Sequence, residues 1–256
     1  MVIDTHAHLN DEIYEGRVSE IINSEDFKST IDKAFMIGWD LKSSIKAVEI
    51  ANEYDNIYAI VGVHPNHAES VNEKVIDELR KLCENKKVIA IGEIGLDYHY
   101  ENYDKEIQKK AFIKQLELAN ELKMPFSIHI RDAYQDVSEI IFSHTDLIKH
   151  SGVLHCYSGS VEEARKYLNL GLYLSFGGVV TFKNARHVLD VVREVPRDRY
   201  LSETDCPYLS PEPHRGEINY PQYTKYVVAK MAELKGLTVQ EVEEDIKRNV
   251  KELFKV

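Results

Sequence analysis

Met1-Val-Ile-Asp-Thr-His-Ala-His8 opens the chain with a short, largely apolar stretch that ends in two histidines, His6 and His8. Side chains of a β-strand repeat their direction every second residue, so both imidazoles leave the same side of the strand. Imidazole is the commonest side-chain metal ligand near neutral pH. Taken alone, the pair fits two surface histidines in a loop about as well as it fits half of a metal site.

Four further apolar runs also end in a residue that can bind a metal. Residues 87–93 end in Glu93, 125–129 in His129, 152–155 in His155 and 199–205 in Asp205. Such continuous, largely β-branched runs are typical of strands buried on both faces of a parallel sheet. His64 follows the run 57–63 in the same way. The candidate ligands are therefore predicted to lie together at the C-terminal ends of strands.

Alternating strand and helix patterns predict the fold. We expect strands near residues 1–5, 34–37, 57–63, 88–92, 125–130, 152–155, 171–175 and 199–202, and helices such as 103–122 and a final one over 236–256. Eight strand–helix repeats match an α/β fold of the (β/α)8 TIM-barrel type, whose active site lies at the C-terminal ends of the strands. An open doubly wound sheet is the alternative, but it would not readily bring the ends of strands one, four, five, six and eight together. We expect one TIM-barrel domain over residues 1–256.

Composition sets limits on location and on covalent structure. The 256 residues are 43% hydrophobic, which is ample material for a sizeable core. The three cysteines, Cys83, Cys156 and Cys206, are odd in number and widely spaced, which argues against a disulfide framework. Cys156 and Cys206 either add ligands or, as we favour, pack as small apolar residues. The chain has no long apolar run, and a ligand at position 6 leaves no room for a cleaved leader, so we expect a cytoplasmic protein without a membrane partner.

An ordered set of motifs extends over essentially the whole chain. In order they are Asp4-Thr-His-Ala-His8, Gly62-Val-His-Pro65, Gly92-Glu-Ile-Gly-Leu-Asp-Tyr98, His129-Ile-Arg131, His155-Cys-Tyr-Ser-Gly159, Ser175-Phe-Gly-Gly178, Glu203-Thr-Asp-Cys-Pro207 and Arg215-Gly-Glu-Ile-Asn219. Together they resemble the TatD family of metal-dependent deoxyribonucleases, within the amidohydrolase-type metal-dependent hydrolases. The first motif recurs in many hydrolases, whereas the ordered set is specific. Ala7 and Tyr157 stand where many members have cysteine and phenylalanine, and neither position supplies a ligand.

The resemblance implies a site for two divalent metal ions, Mg, Mn or Zn. One ion would be held by His6, His8, Glu93 and Asp205, and the other by Glu93, His129 and His155. Glu93 is then the bridge between them, because a carboxylate has two oxygens that can each bind one cation. Ligation rich in histidine suits zinc, manganese, iron or nickel better than magnesium, although the family is usually described as magnesium-dependent.

Catalytic roles are also predicted for Glu93, Asp205, His64 and Glu203, of which the last three have alternatives. Asp205 is expected to accept a proton from the attacking water in addition to binding metal, although it could instead cap the following turn. Glu203 could hydrogen-bond a ligating histidine, contribute to an extra metal or pair with a nearby base. His64 is expected to polarise a phosphoryl oxygen, and the alternative is that it anchors a neighbouring loop.

Substrate handling is predicted for His64, Arg131, Arg215 and Asn219. The planar fork of arginine matches the oxygens of a phosphate. The alternative for Arg131 is a salt bridge to Asp132 or another carboxylate of the barrel, and for Arg215 a solvated loop charge. The cluster Tyr98-His-Tyr100 either stacks on a nucleobase or packs on the rim of the barrel.

Charge restricts the class of nucleic acid. The net charge of −11 is the opposite of the broad basic footprint of a duplex-binding protein. We therefore expect DNA to be bound locally, as a single strand or a strand end. The leading prediction is a TatD-type deoxyribonuclease that acts as an exonuclease on DNA ends through a metal-activated water. The alternatives are a barrel hydrolase of a small amide, ester or phosphoester and a non-catalytic metal-binding protein, and no stable protein partner is inferred.

Overall fold

The computed structural model describes residues 1–101 and 103–256 of the chain. The β-strands are β1 (Val2–Ala7), β2 (Ile31–Ile37), β3 (Ile57–Val61), β4 (Val88–Asp97), β5 (Phe126–Arg131), β6 (Gly152–Leu154), β7 (Tyr173–Phe176) and β8 (Tyr200–Ser202). Each strand overlaps one of the ranges that the apolar runs predict. The runs locate the strands well because a strand buried on both faces needs apolar residues on both.

Helices separate consecutive strands along the chain. They are α1 (Val18–Asn23), α2 (Glu25–Thr30), α3 (Leu41–Glu53), α4 (Glu73–Leu82), α5 (Lys105–Leu122), α6 (Tyr134–Ser143), α7 (Val161–Asn169), α8 (His187–Glu194), α9 (Thr224–Lys235) and α10 (Val239–Phe254), with 3-10 helices at Glu12–Tyr14, Pro65–Ser70, Gly178–Thr181 and Pro221–Tyr223. The predicted helix over 103–122 corresponds to α5, and the predicted final helix to α10. No helix within residues 1–101 and 103–256 is both long and apolar enough to cross a membrane.

The order of the strands in the sheet is the order of the chain, from β1 to β8. The pairs β3–β4, β4–β5, β5–β6 and β7–β8 are parallel. In addition, Ala7 at the end of β1 forms a parallel bridge with Cys206, just beyond β8. An eight-stranded parallel sheet whose first and last strands are neighbours is a (β/α)8 barrel. The prediction of the fold class is confirmed.

Two compact units make up the chain. The terminal unit comprises Met1–Phe35 and Cys156–Val256, and the central unit comprises Met36–His155. Each has its own buried apolar side chains, such as Leu201 and Ile246 in the terminal unit and Ile91 and Phe126 in the central unit. The expectation of a single domain over residues 1–256 stays a prediction.

Strand β4 carries Glu93, the buried carboxylate predicted for the site in the central unit. All ten of its residues are buried. Its register against β5 shifts between Ile91 and Ile94, a bulge of the kind that re-aims side chains near active sites, and Glu93 lies within it. Beyond the bulge, Gly95 pairs with His129 at a φ of 142°, and a Cβ there would lie 2.1 Å from the His129 carbonyl oxygen. Only glycine permits β4 and β5 to come this close at Gly95. The close pairing of the two strands brings Glu93 and His129 near each other.

Candidate metal centre

The terminal unit brings His6, His8 and Asp205 together in what we name the β1–β8 cluster. His6 and His8 are buried, and their Nε2 atoms are 3.2 Å apart, as the two-residue period of a strand requires. Asp205 follows β8, and its Oδ1 lies 3.7 Å from His6 Nε2 and 3.4 Å from His8 Nε2. The side chain of Asp205 is 17% exposed, so this carboxylate reaches solvent. Two imidazoles and one carboxylate therefore converge at the ends of β1 and β8.

Asp4 fixes the geometry of the β1–β8 cluster. Its Oδ1 accepts hydrogen bonds from the backbone N–H groups of Thr204, at 2.9 Å, and His6, at 3.2 Å, and its Oδ2 accepts one from the Thr204 hydroxyl. The Asp205 N–H in turn donates to the carbonyl oxygen of His6 at 2.8 Å. Burial raises the pKa of Asp4 to about 8, although the hydrogen bonds from Thr204 and His6 act in the opposite direction. The link ties the turn after β8 to β1.

Glu203 is fully buried directly after β8. Its Oε1 accepts a hydrogen bond from the backbone N–H of Cys156. The side chain also lies beside Gly177, where a Cβ would be 3.6 Å from Glu203 Cγ. The carboxylate therefore holds the backbone of the segment that begins at Cys156, a contact that the three sequence-based alternatives for Glu203 do not include.

The central unit brings Glu93, His129 and His155 together in what we name the β4–β6 cluster. Glu93 Oε1 lies 2.8 Å from His129 Nδ1 and 2.7 Å from His155 Nε2. The two imidazole nitrogens are 3.2 Å apart. Glu93 and His155 are buried, and the His129 side chain is 16% exposed. One carboxylate oxygen is thus the common neighbour of two imidazole nitrogens.

Asp97 holds His129 from behind. Asp97 Oδ2 lies 3.1 Å from His129 Nε2. Burial raises the pKa of Asp97, but hydrogen bonds from His129 and from the backbone N–H of His99 outweigh it, and the pKa lies below its usual value. An ionised carboxylate can only accept, so His129 donates from Nε2 and turns Nδ1 toward Glu93 and His155. This arrangement of a carboxylate behind a histidine is typical of metal-binding imidazoles. The position of Asp97 in the sequence does not by itself predict this role.

His64 joins the same cluster from the end of β3. Its Nε2 lies 3.7 Å from Glu93 Oε1, and its ring packs edge to face on His129 at 4.3 Å between centroids. His64 Nδ1 accepts a hydrogen bond from the backbone N–H of Asn66, which leaves the ring proton on Nε2. Burial, followed by the charge of His129, lowers the pKa of His64 to about 3. His64 is therefore a neutral donor that faces Glu93.

The donor set in each cluster fits a divalent cation. In each cluster, two imidazole nitrogens lie 3.2 Å apart. Two nitrogens at this distance cannot both carry a proton that points at the other, whereas a cation between them can accept a lone pair from each. His64, Glu93 and His129 offer ligand atoms that all lie within 4.8 Å of one another. Mixed nitrogen and oxygen donors suit zinc or manganese better than magnesium. Cys206 is fully buried, and this burial raises the pKa of its thiol to about 12.

The predicted substrate residues have different surroundings. Arg131, at the end of β5, is exposed and lies over the ring of Tyr100 at 5.5 Å. Arg215 lies over the ring of Phe182 at 3.8 Å, so it is not a freely solvated loop charge. Both guanidinium groups are held by aromatic rings, which fixes their position while leaving their N–H groups at the edge.

Asn219 is a fully buried member of the same predicted set. Its side-chain amide donates to the carbonyl oxygens of Thr204, at 3.0 Å, and Tyr208, at 2.7 Å. Its Oδ1 accepts from the backbone N–H of Tyr220 at 2.9 Å. These bonds fix the loop after β8. They could not be predicted from local sequence, because they depend on how that loop folds back.

Comparisons with known proteins identify the family to which this fold belongs. The chain matches the family described as TatD related DNase over residues 3–255. It is 43% identical over 256 residues to YabD of Bacillus subtilis, an uncharacterized metal-dependent hydrolase, and both chains are covered completely. It is 36% identical over 257 residues to YcfH of Escherichia coli, also an uncharacterized metal-dependent hydrolase, with 100% of this chain and 96% of that protein covered.

A solved structure extends the agreement to three dimensions. The crystal structure of YJJV, a TatD homolog from Escherichia coli, matches with a TM-score of 0.93 at 27% identity, covering 100% of this chain and 98% of that chain. A (β/α)8 barrel with clustered histidines and carboxylates, together with these relatives, defines a metal-dependent hydrolase. The chain belongs to the TatD family.

Proposed function

We propose that the protein hydrolyses phosphodiester bonds of DNA, as an exonuclease that acts on single-stranded ends. The observation that carries the proposal is the position of Glu93, whose buried Oε1 lies 2.7 Å and 2.8 Å from nitrogens of two different imidazoles. A buried carboxylate is costly without a cation, and here its neighbours are metal-binding side chains. DNA as the substrate is supported by the description of the matching family.

The ligand assignment that we propose gives each cluster one cation. His6, His8 and Asp205 would hold the first, His129 and His155 would hold the second, and Glu93 would be shared between them. Divalent cations held by these residues would supply a water of lowered pKa and positive charge for the attacking and leaving oxygens.

The side chains around the cations then have separate tasks. Asp205, which is partly exposed and at least 3.4 Å from the imidazoles, accepts a proton from the attacking water. His64 donates from Nε2 to an oxygen of the phosphate, because its low pKa keeps it neutral and its Nδ1 is already an acceptor. Glu203 acts through the Cys156 backbone and is a positioning residue.

Binding of the strand is assigned to the two arginines. Arg131 and Arg215 present guanidinium groups to phosphate oxygens, and the ring beneath each holds it in place. Asn219 acts indirectly, by fixing the loop after β8 that also carries Arg215. Because these contacts are made to phosphates and not to bases, binding is expected to weaken with salt and to depend little on sequence.

The decisive experiment measures nucleotide release from DNA ends. Protein stripped with a chelator is reloaded with Mg²⁺, Mn²⁺ or Zn²⁺ and incubated with single-stranded oligonucleotides blocked at the 5′ or the 3′ end. We expect release only with metal and from one unblocked end, with a Glu93→Gln variant inactive. Glu78→Gln changes an exposed glutamate of the same unit that pairs with Lys81, and it serves as the control.

Two outcomes of this assay would contradict the proposed exonuclease activity. If metal-loaded protein releases no nucleotide from any DNA end but turns over small amides, esters or phosphoesters, the proposal is wrong and the alternative hydrolase is correct. If it binds metal and turns over neither class, the protein is a non-catalytic metal-binding protein. Elemental analysis of protein purified without added metal identifies the native ions in each case.

A further inference from the structure

We propose that the central unit contains a pocket for a nucleobase of the substrate strand, with Tyr100 as its stacking surface. The inference rests on the proposed function, since it names how that site holds DNA. The pocket has a volume of about 240 Å³ and is lined by side chains that include Pro65, Asn66, Glu69, Tyr100, Tyr103 and Asp104. Pockets for drug-sized ligands measure roughly 300–1,000 Å³, so this one suits a single ring system.

Both walls of the pocket are connected to the β4–β6 cluster. One wall is the 3-10 helix Pro65–Ser70, which begins directly after His64, and its Asn66 N–H donates to the His64 ring. The other wall includes Tyr100, which lies three residues beyond Asp97, the partner of His129. Three residues span at most about 11 Å, even when extended. A base in the pocket therefore belongs to a nucleotide close to the phosphate that is cleaved.

The aromatic side of the pocket is held in place before any ligand arrives. Tyr103 stacks on Tyr98 with 4.9 Å between centroids and an interplanar angle of 7°. Tyr98 donates a hydrogen bond from its hydroxyl to Asp136 at 2.7 Å, and Lys105 Nζ lies 4.4 Å above its ring. Such a fixed wall loses little conformational entropy when a flat ligand binds.

Tyr100 presents the exposed aromatic surface of this region. The residue is 56% exposed, and Arg131 lies 5.5 Å from its ring centroid. Every nucleobase offers a π-face, so stacking on a tyrosine accepts any of them. Arg131, two residues after His129, can bind a phosphate of the nucleotide whose base stacks on Tyr100. The pair therefore matches one nucleotide unit, with a base on the ring and a phosphate on the guanidinium group.

The negative charges of the side chains that line the pocket favour a nucleobase over a phosphate as its occupant. Glu69 and Asp104 contribute carboxylates, which repel a phosphate and tolerate a neutral base. Asn66 is exposed and carries both a donor and an acceptor that can meet the edge of a base. We therefore expect little preference among the four bases.

The test compares Tyr100→Ala and Tyr100→Phe on single-stranded oligonucleotides and on the same oligonucleotides with one abasic residue near the digested end. Removal of a base-stacking aromatic costs about 5- to 150-fold. We expect Tyr100→Ala to raise KM by this factor with little change in kcat, and Tyr100→Phe to retain wild-type KM. The abasic oligonucleotide should raise KM of the wild type by a similar factor, and it should leave KM of Tyr100→Ala unchanged.

Phe142→Ala serves as the control. It removes an aromatic side chain of the same unit that lies on α6 and is 44% exposed.

These measurements distinguish an error in the proposed base pocket from an error in the proposed DNA substrate. If the wild type releases nucleotides but Tyr100→Ala has an unchanged KM and is as sensitive to the abasic residue as the wild type, the pocket does not bind a base. If the wild type releases no nucleotides but hydrolyses bis(p-nitrophenyl) phosphate, the proposed DNA substrate is wrong and the base pocket with it. Fluorescence anisotropy of a labelled oligonucleotide on Glu93→Gln, with and without Tyr100→Ala, measures binding without turnover and should show the same factor.

Discussion

The β1–β8 cluster and the β4–β6 cluster contain the same kinds of side chain in different settings. In the β4–β6 cluster, the Glu93 oxygen lies within 2.8 Å of both imidazole nitrogens, and Asp97 holds one of those imidazoles from behind. In the β1–β8 cluster, the Asp205 oxygen is 3.4 Å and 3.7 Å from its imidazoles, and the side chain is partly exposed. One cluster is therefore drawn together closely, and the other is more open.

The difference indicates a division of labour. A carboxylate that is buried and surrounded by imidazoles is suited to holding cations in fixed positions. A carboxylate that reaches solvent and stands further from its neighbours is suited to exchanging protons with water. Substitutions in the two clusters should therefore affect metal content and turnover in different proportions.

The largest effect is expected for Glu93→Gln. If Glu93 is shared by two cations, as proposed, loss of its charge would weaken the binding of both. Each cation would contribute several kcal/mol to catalysis, so activity should fall by at least about 10,000-fold. Elemental analysis should show that metal content falls from two ions to one or none. Two retained ions would mean that Glu93 is not a bridge.

Asp205→Asn should separate turnover from metal content. We expect kcat to fall by roughly 100- to 1,000-fold, because removal of a proton acceptor costs about that much. The β4–β6 cluster should keep its ion, as measured by elemental analysis. Asp198→Asn, which changes an exposed aspartate of the same unit, is the control. Loss of both ions from Asp205→Asn would contradict the division of labour.

Asp97→Asn tests why the β4–β6 cluster is the tighter one. Without an ionised partner at Nε2, His129 loses its fixed orientation, so metal affinity should weaken by roughly 10- to 100-fold. Calorimetric titration of stripped protein with Zn²⁺ measures the change, and added metal should restore much of the activity. Asp77→Asn, on the exposed face of α4, provides the comparison. An affinity equal to that of the wild type would show that Asp97 does not support the cluster.

Asp245 in the terminal unit is a buried carboxylate that binds side-chain cations and contributes to stability alone. It accepts hydrogen bonds from Arg197, Arg248 and the Tyr200 hydroxyl. Burial raises the pKa of Asp245, but these bonds outweigh it and hold the pKa below its usual value. Its stabilising effect is therefore complete above the pKa of the unfolded chain and is lost as the pH falls through the lower folded value.

For Asp245→Asn, we expect the free energy of unfolding to fall by about 1.5–3 kcal/mol near pH 7, with kcat unchanged. The melting temperature should fall by roughly 2–4 °C for each kcal/mol. The difference from the wild type should shrink in acid, as thermal unfolding across pH would measure. Asp190→Asn, which changes an exposed aspartate that pairs with Arg193, should have little effect. A difference that grows in acid would contradict the pKa argument.

Local pattern was sufficient to predict the strands and the ligand candidates at their ends. A continuous apolar run predicts a strand such as β4, and Glu93 is the residue that interrupts this run. His6 and His8 follow from the two-residue period of a strand. These features depend only on residues that are neighbours in sequence.

Contacts across strands could not be predicted in the same way. The bond between Asp97 and His129 depends on the register of β4 against β5, which the bulge at Glu93 changes. The burial of Asn219 depends on how the loop after β8 folds back.

The link from Asp4 to Thr204 has a consequence for the order in which the protein is made. The β1–β8 cluster combines residues from the first and the last strand of the barrel, so it cannot form until the ribosome has added Asp205. All side chains of the β4–β6 cluster have been synthesised by His155, some 50 residues sooner. At synthesis rates of about 5–20 residues per second, the nascent chain contains the whole β4–β6 cluster for roughly 3–10 s before Asp205 of the β1–β8 cluster is added.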